Sequence, residues 1–179
     1  SKKENEQKYS YVSYNNLRKP EYRLMTKIGT EYVEKEPVDD KALLHYEQIK
    51  KNIEILKRKQ ILTLDYVENG KIRSKYVQQQ YLLSNVLTQK LEQGKDEEFE
   101  NIIQEYIQIL RKDTYPMQNI QDTIFAEYDI SITKPEILKD LHFAKDGLWD
   151  MTFKNCFYLE NEFYFFDQEW YSSNLPVEY

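Results

Sequence analysis

The strongest constraint on the fold is the position of one helical stripe. In DDKALLHYEQIKKNIEILKRKQ (39–60), Leu43, Tyr46, Ile49, Ile53 and Leu56 recur at spacings of three and four, which places them on one face of a helix. β-like sequence flanks this helix on both sides. Before it, RKPEYRLMTKIG alternates Tyr22, Leu24, Thr26 and Ile28, the period of a half-buried strand. Gly29-Thr30 then reads as a tight turn and EYVEKEPV as the returning strand, ended by Pro37. Tyr9, Tyr11 and Val12 suggest a further strand upstream, and Asp39-Asp40 are placed to cap the helix. After the helix, ILTLDYVENGKIRSKYV predicts a second hairpin about Glu68-Asn69-Gly70.

The remainder is more helical. QQQYLLSNVLTQKLEQG predicts a helix or ordered connector ending at Gly94. DEEFENIIQEYIQILRK carries Phe99, Ile102, Ile103, Tyr106, Ile107 and Leu110 at helical spacing, with acidic residues in its first turn. Residues 113–147, broken by Pro116 and Pro135, read as an irregular connection in which IFAEYDISI and EILKDLHF are the ordered pieces. A hairpin is expected next, Cys156–Leu159 and Phe163–Phe166 about a turn at Glu160-Asn161-Glu162. Strands, a helix, strands, helices and a hairpin make an α+β chain, not an alternating βαβ sheet. Residues 1–80 form its sheet-and-helix part and 81–179 its helices and hairpin, with the charged first residues expected to fray.

Composition removes several classes of function. Twenty-five lysines and arginines against 31 acidic residues leave a net charge of −6, so no broad basic face for nucleic acid is expected. Cys156 is the only cysteine and there are two histidines, which leaves no disulfide framework and little material for a zinc site. No apolar run approaches the ~18 residues of a membrane span, and SKKENEQKYS is not a signal peptide. A cytoplasmic location is therefore expected. The chain starts without methionine and stops on SSNLPVEY, and is expected to be an excised part of a larger protein.

One stretch carries chemistry. LWDMTFKNCFYLENEFYFFDQEW (148–170) is largely aromatic and aliphatic, yet it contains Asp150, Asn155, Asp167 and Glu169 at the ends of its two apolar runs. A core hairpin needs none of them. Phosphoryl transfer from ATP does need such a set: one carboxylate to orient an acceptor hydroxyl, and an amide oxygen with a second carboxylate to hold magnesium on the phosphates.

D-M-T-F-K-N followed by a hairpin and D-Q-E-W resembles the catalytic loop and metal-binding segment of the protein-kinase-like superfamily. The second motif is closest to the D-x-E form of its small-molecule branch, such as aminoglycoside and choline kinases. The resemblance implies an antiparallel N-lobe sheet with one helix and a truncated C-lobe with a catalytic hairpin. It implies Asp150 as catalytic base, Asn155 and Asp167 as magnesium ligands, and Glu169 as a further polar group near the metal. V-E-K resembles the strand lysine that contacts the nucleotide, which implies Lys35. A glutamate from the following helix would pair with it; Glu47 is favoured over Glu54, seven positions away on the same face. QQQYLL falls where the family has its adenine-binding hinge.

The cofactors implied are ATP and magnesium, and the acceptor a small-molecule or glycan hydroxyl. Two departures stand out: there is no G-x-G-x-x-G loop, so YNNLRKP is left to cover the phosphates, and Leu148 stands where the catalytic-loop histidine is normally found.

A narrower resemblance runs through F-x-N-C-F, F-F-D-Q-E-W and N-L-P. It is similar to regions appended to bacterial methyltransferases and glycosyltransferases of surface-polysaccharide assembly, which implies an adjoining enzyme domain as partner. The glycine-rich signature of an S-adenosylmethionine site is absent from this chain. Two alternatives to an active kinase stay open: a non-catalytic kinase-like binding module of a glycan-assembly enzyme, and an unrelated α+β interaction domain. Lys35 also fits the solvent face of an edge strand. Glu47 and Glu54 also fit surface ion pairs with Lys50, Lys51 or Arg58.

Overall fold

A computed structural model describes residues 9–117, 119–128 and 135–178. The frayed N-terminus expected over the first eight residues, and the ISI of IFAEYDISI, lie outside the described residues. Strands β1 (Tyr11–Tyr14), β2 (Leu24–Ile28) and β3 (Tyr32–Pro37) come first. The predicted helix follows as α1 (Leu43–Arg58), and then the hairpin of β4 (Asp65–Glu68) and β5 (Lys71–Lys75). The Asp39 carboxylate accepts the Lys41 N–H at 2.9 Å and caps the 3-10 turn that leads into α1. Together these strands form one antiparallel sheet of order β1-β2-β3-β5-β4. β3 is its central strand, so Lys35 does not sit on an edge.

Side chains on one face of this sheet meet the stripe of α1: Leu24 and Ile72 pack with Tyr46, Ile49 and Ile53. Each such aliphatic side chain contributes about 1.5–3 kcal/mol by burial. The Tyr46 hydroxyl adds a polar tie, donating to the Lys35 carbonyl and accepting from the Ile72 N–H, both at 2.8 Å. Farther along α1, Ile55 and Leu56 belong to the larger core. That core gathers Leu83 and Leu87 of α2 (Leu83–Glu92), Ile102 and Tyr106 of α3 (Asp96–Leu110), and Phe163 and Phe165 of the late hairpin. One helix thus serves both cores and fixes the sheet against the second half of the chain.

Residues 113–147 are more ordered than their prolines suggest. They contain β6 (Thr114–Tyr115), α4 (Ile124–Glu127), a 3-10 turn at Pro135–Lys139 and β7 (Phe143–Leu148). The hairpin strands follow as β8 (Cys156–Leu159) and β9 (Glu162–Phe165), and then a last strand not foreseen, β10 (Tyr171–Pro176). β10 lies antiparallel along β7, with Ser172 opposite Gly147, and β6 lies on the other side of β7. The α+β class holds, built from antiparallel sheets. Among the described residues no helix is long and apolar enough to cross a membrane.

Candidate functional site

The site forms where the late hairpin returns to the first sheet. Phe165, fully buried at the end of β9, exchanges two backbone bonds with the segment before β4. Leu64 N–H donates to Phe165 O at 2.9 Å and Phe165 N–H to Leu62 O at 3.0 Å. This parallel contact brings Asp65 beside Asp167, whose N–H donates to Asp65 Oδ2 at 2.8 Å. Asp167 has a φ of 57°, a left-handed conformation that asparagine and aspartate tolerate better than most residues. Held in this way, its carboxylate accepts from Lys35 Nζ across 132 positions of sequence.

Lys35 has a second partner, Glu169 Oε1 at 3.2 Å. Glu169 is itself buried and is shared: Arg18 Nη1 donates to its Oε2, and His45 Nε2 lies 3.3 Å from that same oxygen. Burial alone would raise the Glu169 pKa, but His45, Lys35 and Arg18 outweigh it and hold the carboxyl down at about 2. Asp65 shows the opposite balance. Its burial raises the carboxyl to about 6, against the Ser74 hydroxyl bond and the Lys35 charge, which pull it down.

The DQEW segment is also tied to the loop after β7. Glu169 N–H and Trp170 N–H both donate to Asp150 Oδ2, at 2.9 and 3.1 Å. Gln168 Nε2 donates to Asp150 O at 2.8 Å and Phe166 O at 2.9 Å, while Asn52 of α1 donates to Gln168 O at 2.9 Å. Phe166 N–H donates to Asn155 O at 3.0 Å. The expected set of Asp150, Asn155 and Asp167 is therefore cross-bonded into one unit by the backbone of 166–170. Burial raises the Asp150 pKa above the usual carboxylate value, opposed by its two N–H donors. The Asn155 side-chain amide makes no hydrogen bond among the described residues.

Glu47 is the exception. Its side chain is 57% exposed and pairs with Lys50 at 2.7 Å, as Glu54 pairs with Lys57. The reason lies in helix geometry. The face of α1 that carries Tyr46, Ile49 and Ile53 packs on the sheet. Residues beside that face, His45 and Asn52, reach the DQEW segment. Glu47 and Glu54 share the solvent side, along a groove that Asp146 and Tyr171 also line. Lys35 takes its carboxylates from Asp167 and Glu169 instead.

Beside the Lys35–Asp167 pair opens a cleft of about 190 Å³. It is lined by Thr26 and Ile28 of β2, Val33 of β3, and Phe157 and Phe166, whose ring centroids lie 4.9 Å apart. Tyr76 and Val77, just after β5, also line it, as do Asp65 and Lys75. A cleft lined mainly by apolar side chains, with Lys35 among its charged groups, suits a flat apolar group carrying an anionic tail.

Sequence reasoning missed Asp65, Arg18, Gln168 and Asn52. Asp65 left a signal, as the one charged residue in ILTLDYV; the others left none that periodicity could find. Asp65 makes one testable demand on stability. Because its folded pKa lies above the ordinary value of 3.8, the folded chain holds this proton more tightly than the unfolded chain. Its contribution to stability therefore falls as pH rises from about 4 to about 6. The full swing is on the order of 3 kcal/mol. Urea unfolding at pH 4.5 and 6.5 is expected to show a smaller difference in Asp65→Asn than in wild type; identical differences would discount this assignment.

No family profile, curated protein or solved structure matches this chain.

Proposed function

We propose that this chain is a kinase-like domain that binds ATP with magnesium and transfers a phosphoryl group to a hydroxyl of a small molecule or glycan. The observation that carries the reading is Lys35, on the central strand of the sheet, ion-paired with Asp167 in the lining of a mainly apolar cleft. In support, the chain has a five-stranded antiparallel sheet with one helix after the lysine strand, the elements that the resemblance implies for an N-lobe. The segment lining the cleft after β5 lies next to the QQQYLL stretch expected as a hinge.

Lys35 would contact the phosphates. Asp167, 36% exposed at the side chain, and the amide of Asn155, which makes no hydrogen bond among the described residues, are oxygen donors of the kind a hard cation prefers and would hold magnesium. The ion would neutralise the phosphate oxygens as charge shifts during transfer. Asp150 would orient the acceptor hydroxyl through Oδ1, since its other oxygen is held by two peptide N–H groups. The acceptor would be supplied by an adjoining enzyme domain, in keeping with the narrower resemblance to polysaccharide-assembly proteins.

The deciding measurement is thermal melting with and without ATP and magnesium. At a nucleotide concentration about 100 times Kd, binding contributes about 2.7 kcal/mol, a rise of roughly 5–10 °C for a chain of this length. Asp167→Asn, which tolerates the left-handed backbone while losing the charge, is expected to abolish most of that rise. A wild-type chain whose melting ignores MgATP would end the proposal.

A second reading is nucleotide binding without transfer, and it is favoured by the two N–H donors that occupy Asp150. Release of labelled phosphate from ATP, to acceptor or water, separates the two. Equal rates in wild type and Asp150→Asn, with MgATP still bound, would select the binding module.

A further inference from the structure

Where β1 turns into β2 the chain has no glycine; residues 15–19 read Asn-Asn-Leu-Arg-Lys. A polyphosphate in the cleft would need cations beyond Lys35, which two carboxylates already match. Arg18 is a further cation on the carboxylate that Lys35 contacts. Its Nη1 donates to Glu169 Oε2, while Lys35 contacts Oε1 of the same carboxylate.

The loop backbone is braced, so Arg18 is held in place. Arg23 donates through Nε to Arg18 O at 2.8 Å and through Nη2 to Asn16 O at 3.0 Å. Leu17 N–H donates to Asn15 Oδ1 at 2.9 Å. The Arg18 side chain itself is 37% exposed, so its guanidinium is open to solvent on one side of the Glu169 pair. Glu169 does not depend on it alone, since Lys35 at 3.2 Å and His45 at 3.3 Å remain as partners. Exchange of Arg18 onto another anion therefore leaves no bare buried charge, and its planar fork of donors matches phosphate oxygens.

We propose that Arg18 is a phosphate-binding residue. In the nucleotide-free chain it rests on Glu169, and a bound polyphosphate takes over its guanidinium, doing with a side chain what a glycine-rich loop does with backbone N–H groups. This inference rests on the nucleotide-binding reading above and extends it to a residue that the motif resemblance does not name.

Calorimetric titration of wild type, Arg18→Ala and Arg18→Gln with MgATP and, separately, with adenosine tests it. Melting curves without ligand establish that each variant is folded, and the glutamine variant serves if the alanine variant is not. Loss of Arg18 is expected to weaken MgATP binding about 10- to 100-fold, the worth of a charge-assisted hydrogen bond, and to leave adenosine within about twofold. MgATP bound equally by wild type and variant would overturn the Arg18 assignment and leave the nucleotide reading intact. Equal weakening of both ligands would make Arg18 a support of the fold only, and would also overturn it. Wild type that binds neither ligand would remove both readings together.

Discussion

Glu169→Ala is expected to lower the unfolding free energy by about 3–5 kcal/mol, the usual cost of removing one partner from a buried ion pair. For a chain of this length that is a fall of roughly 10 °C or more in Tm. Glu169 is 5% exposed and is shared by Lys35, Arg18 and His45, from the central strand, the β1–β2 loop and α1. Its removal leaves three groups of positive or potentially positive character facing one another. Lys35 retains Asp167, which keeps the loss toward the lower end of the range.

The same residue sets a pH dependence with a definite sign. Its folded pKa of about 2 lies below the ordinary 4.5, so the folded chain gives up this proton more readily than the unfolded chain. The resulting stability is fully present above about pH 4.5 and is lost as pH falls toward 2. Glu169→Gln keeps the shape and removes the titration, and is expected to flatten the acid limb of a stability profile. A loss under about 1 kcal/mol for Glu169→Ala, or an unchanged acid limb for Glu169→Gln, would mean that the cluster is a surface pair of little weight.

Gly147→Ala is expected to be the other severe substitution, costing about 3 kcal/mol. An added Cβ would lie 2.2 Å from Leu175 Cβ and 2.9 Å from Ser172 O, both on the partner strand β10. The carbonyl belongs to the backbone and Leu175 Cβ is fixed by it, so no change of rotamer relieves the clash and the strands must move apart. Overpacking of this kind costs about 1–3 kcal/mol, more where the backbone must shift. Gly70→Ala is a useful contrast. Its φ of 77° strains any side chain, but nothing lies within 4 Å of the new Cβ, so about 1 kcal/mol is expected.

The consequence for the site is direct. β7 runs into Trp149 and Asp150, and Trp149 N–H donates to Trp170 O at 3.1 Å. Separating β7 from β10 would loosen the hold of Asp150 on the DQEW segment. Denaturant unfolding measures the stability, and amide exchange over 143–148 and 171–176 reports the strand pairing. Stability within about 0.5 kcal/mol of wild type, with unchanged exchange, would contradict the close approach.

Much of this molecule was legible in its residues. The stripe from Tyr46 to Leu56 and the alternation of Leu24, Thr26 and Ile28 are local periodicities, and local periodicity survives into the fold because burial selects one face of each element. The polar residues framing LWDMTFKNCFYLENEFYFFDQEW stood out for the same reason, as charges where burial alone would have none. Strand β7 was hidden because FAKDGL carries a lysine, an aspartate and a glycine in its interior. Its reason for being a strand is its register with β10, from Tyr171 opposite Leu148 to Pro176 opposite Phe143.

What the sequence by itself determined is the first five strands' hairpins and the main helices, their α+β order, and a short list of polar residues too costly to bury without partners. Which carboxylate faces Lys35 was decided only by tertiary structure. Glu47 had the right spacing on the helix, but the helix turns that face to solvent because Tyr46, Ile49 and Ile53 claim the sheet. The partners that replace it, Asp167 and Glu169, lie 132 and 134 positions from Lys35. The buried Asp65 meets Asp167 only because Leu64 and Phe165 join their backbones. Periodicity reports which side of an element is apolar; which buried charge meets which is settled by packing between elements, where desolvation leaves a carboxylate stable only beside its cation.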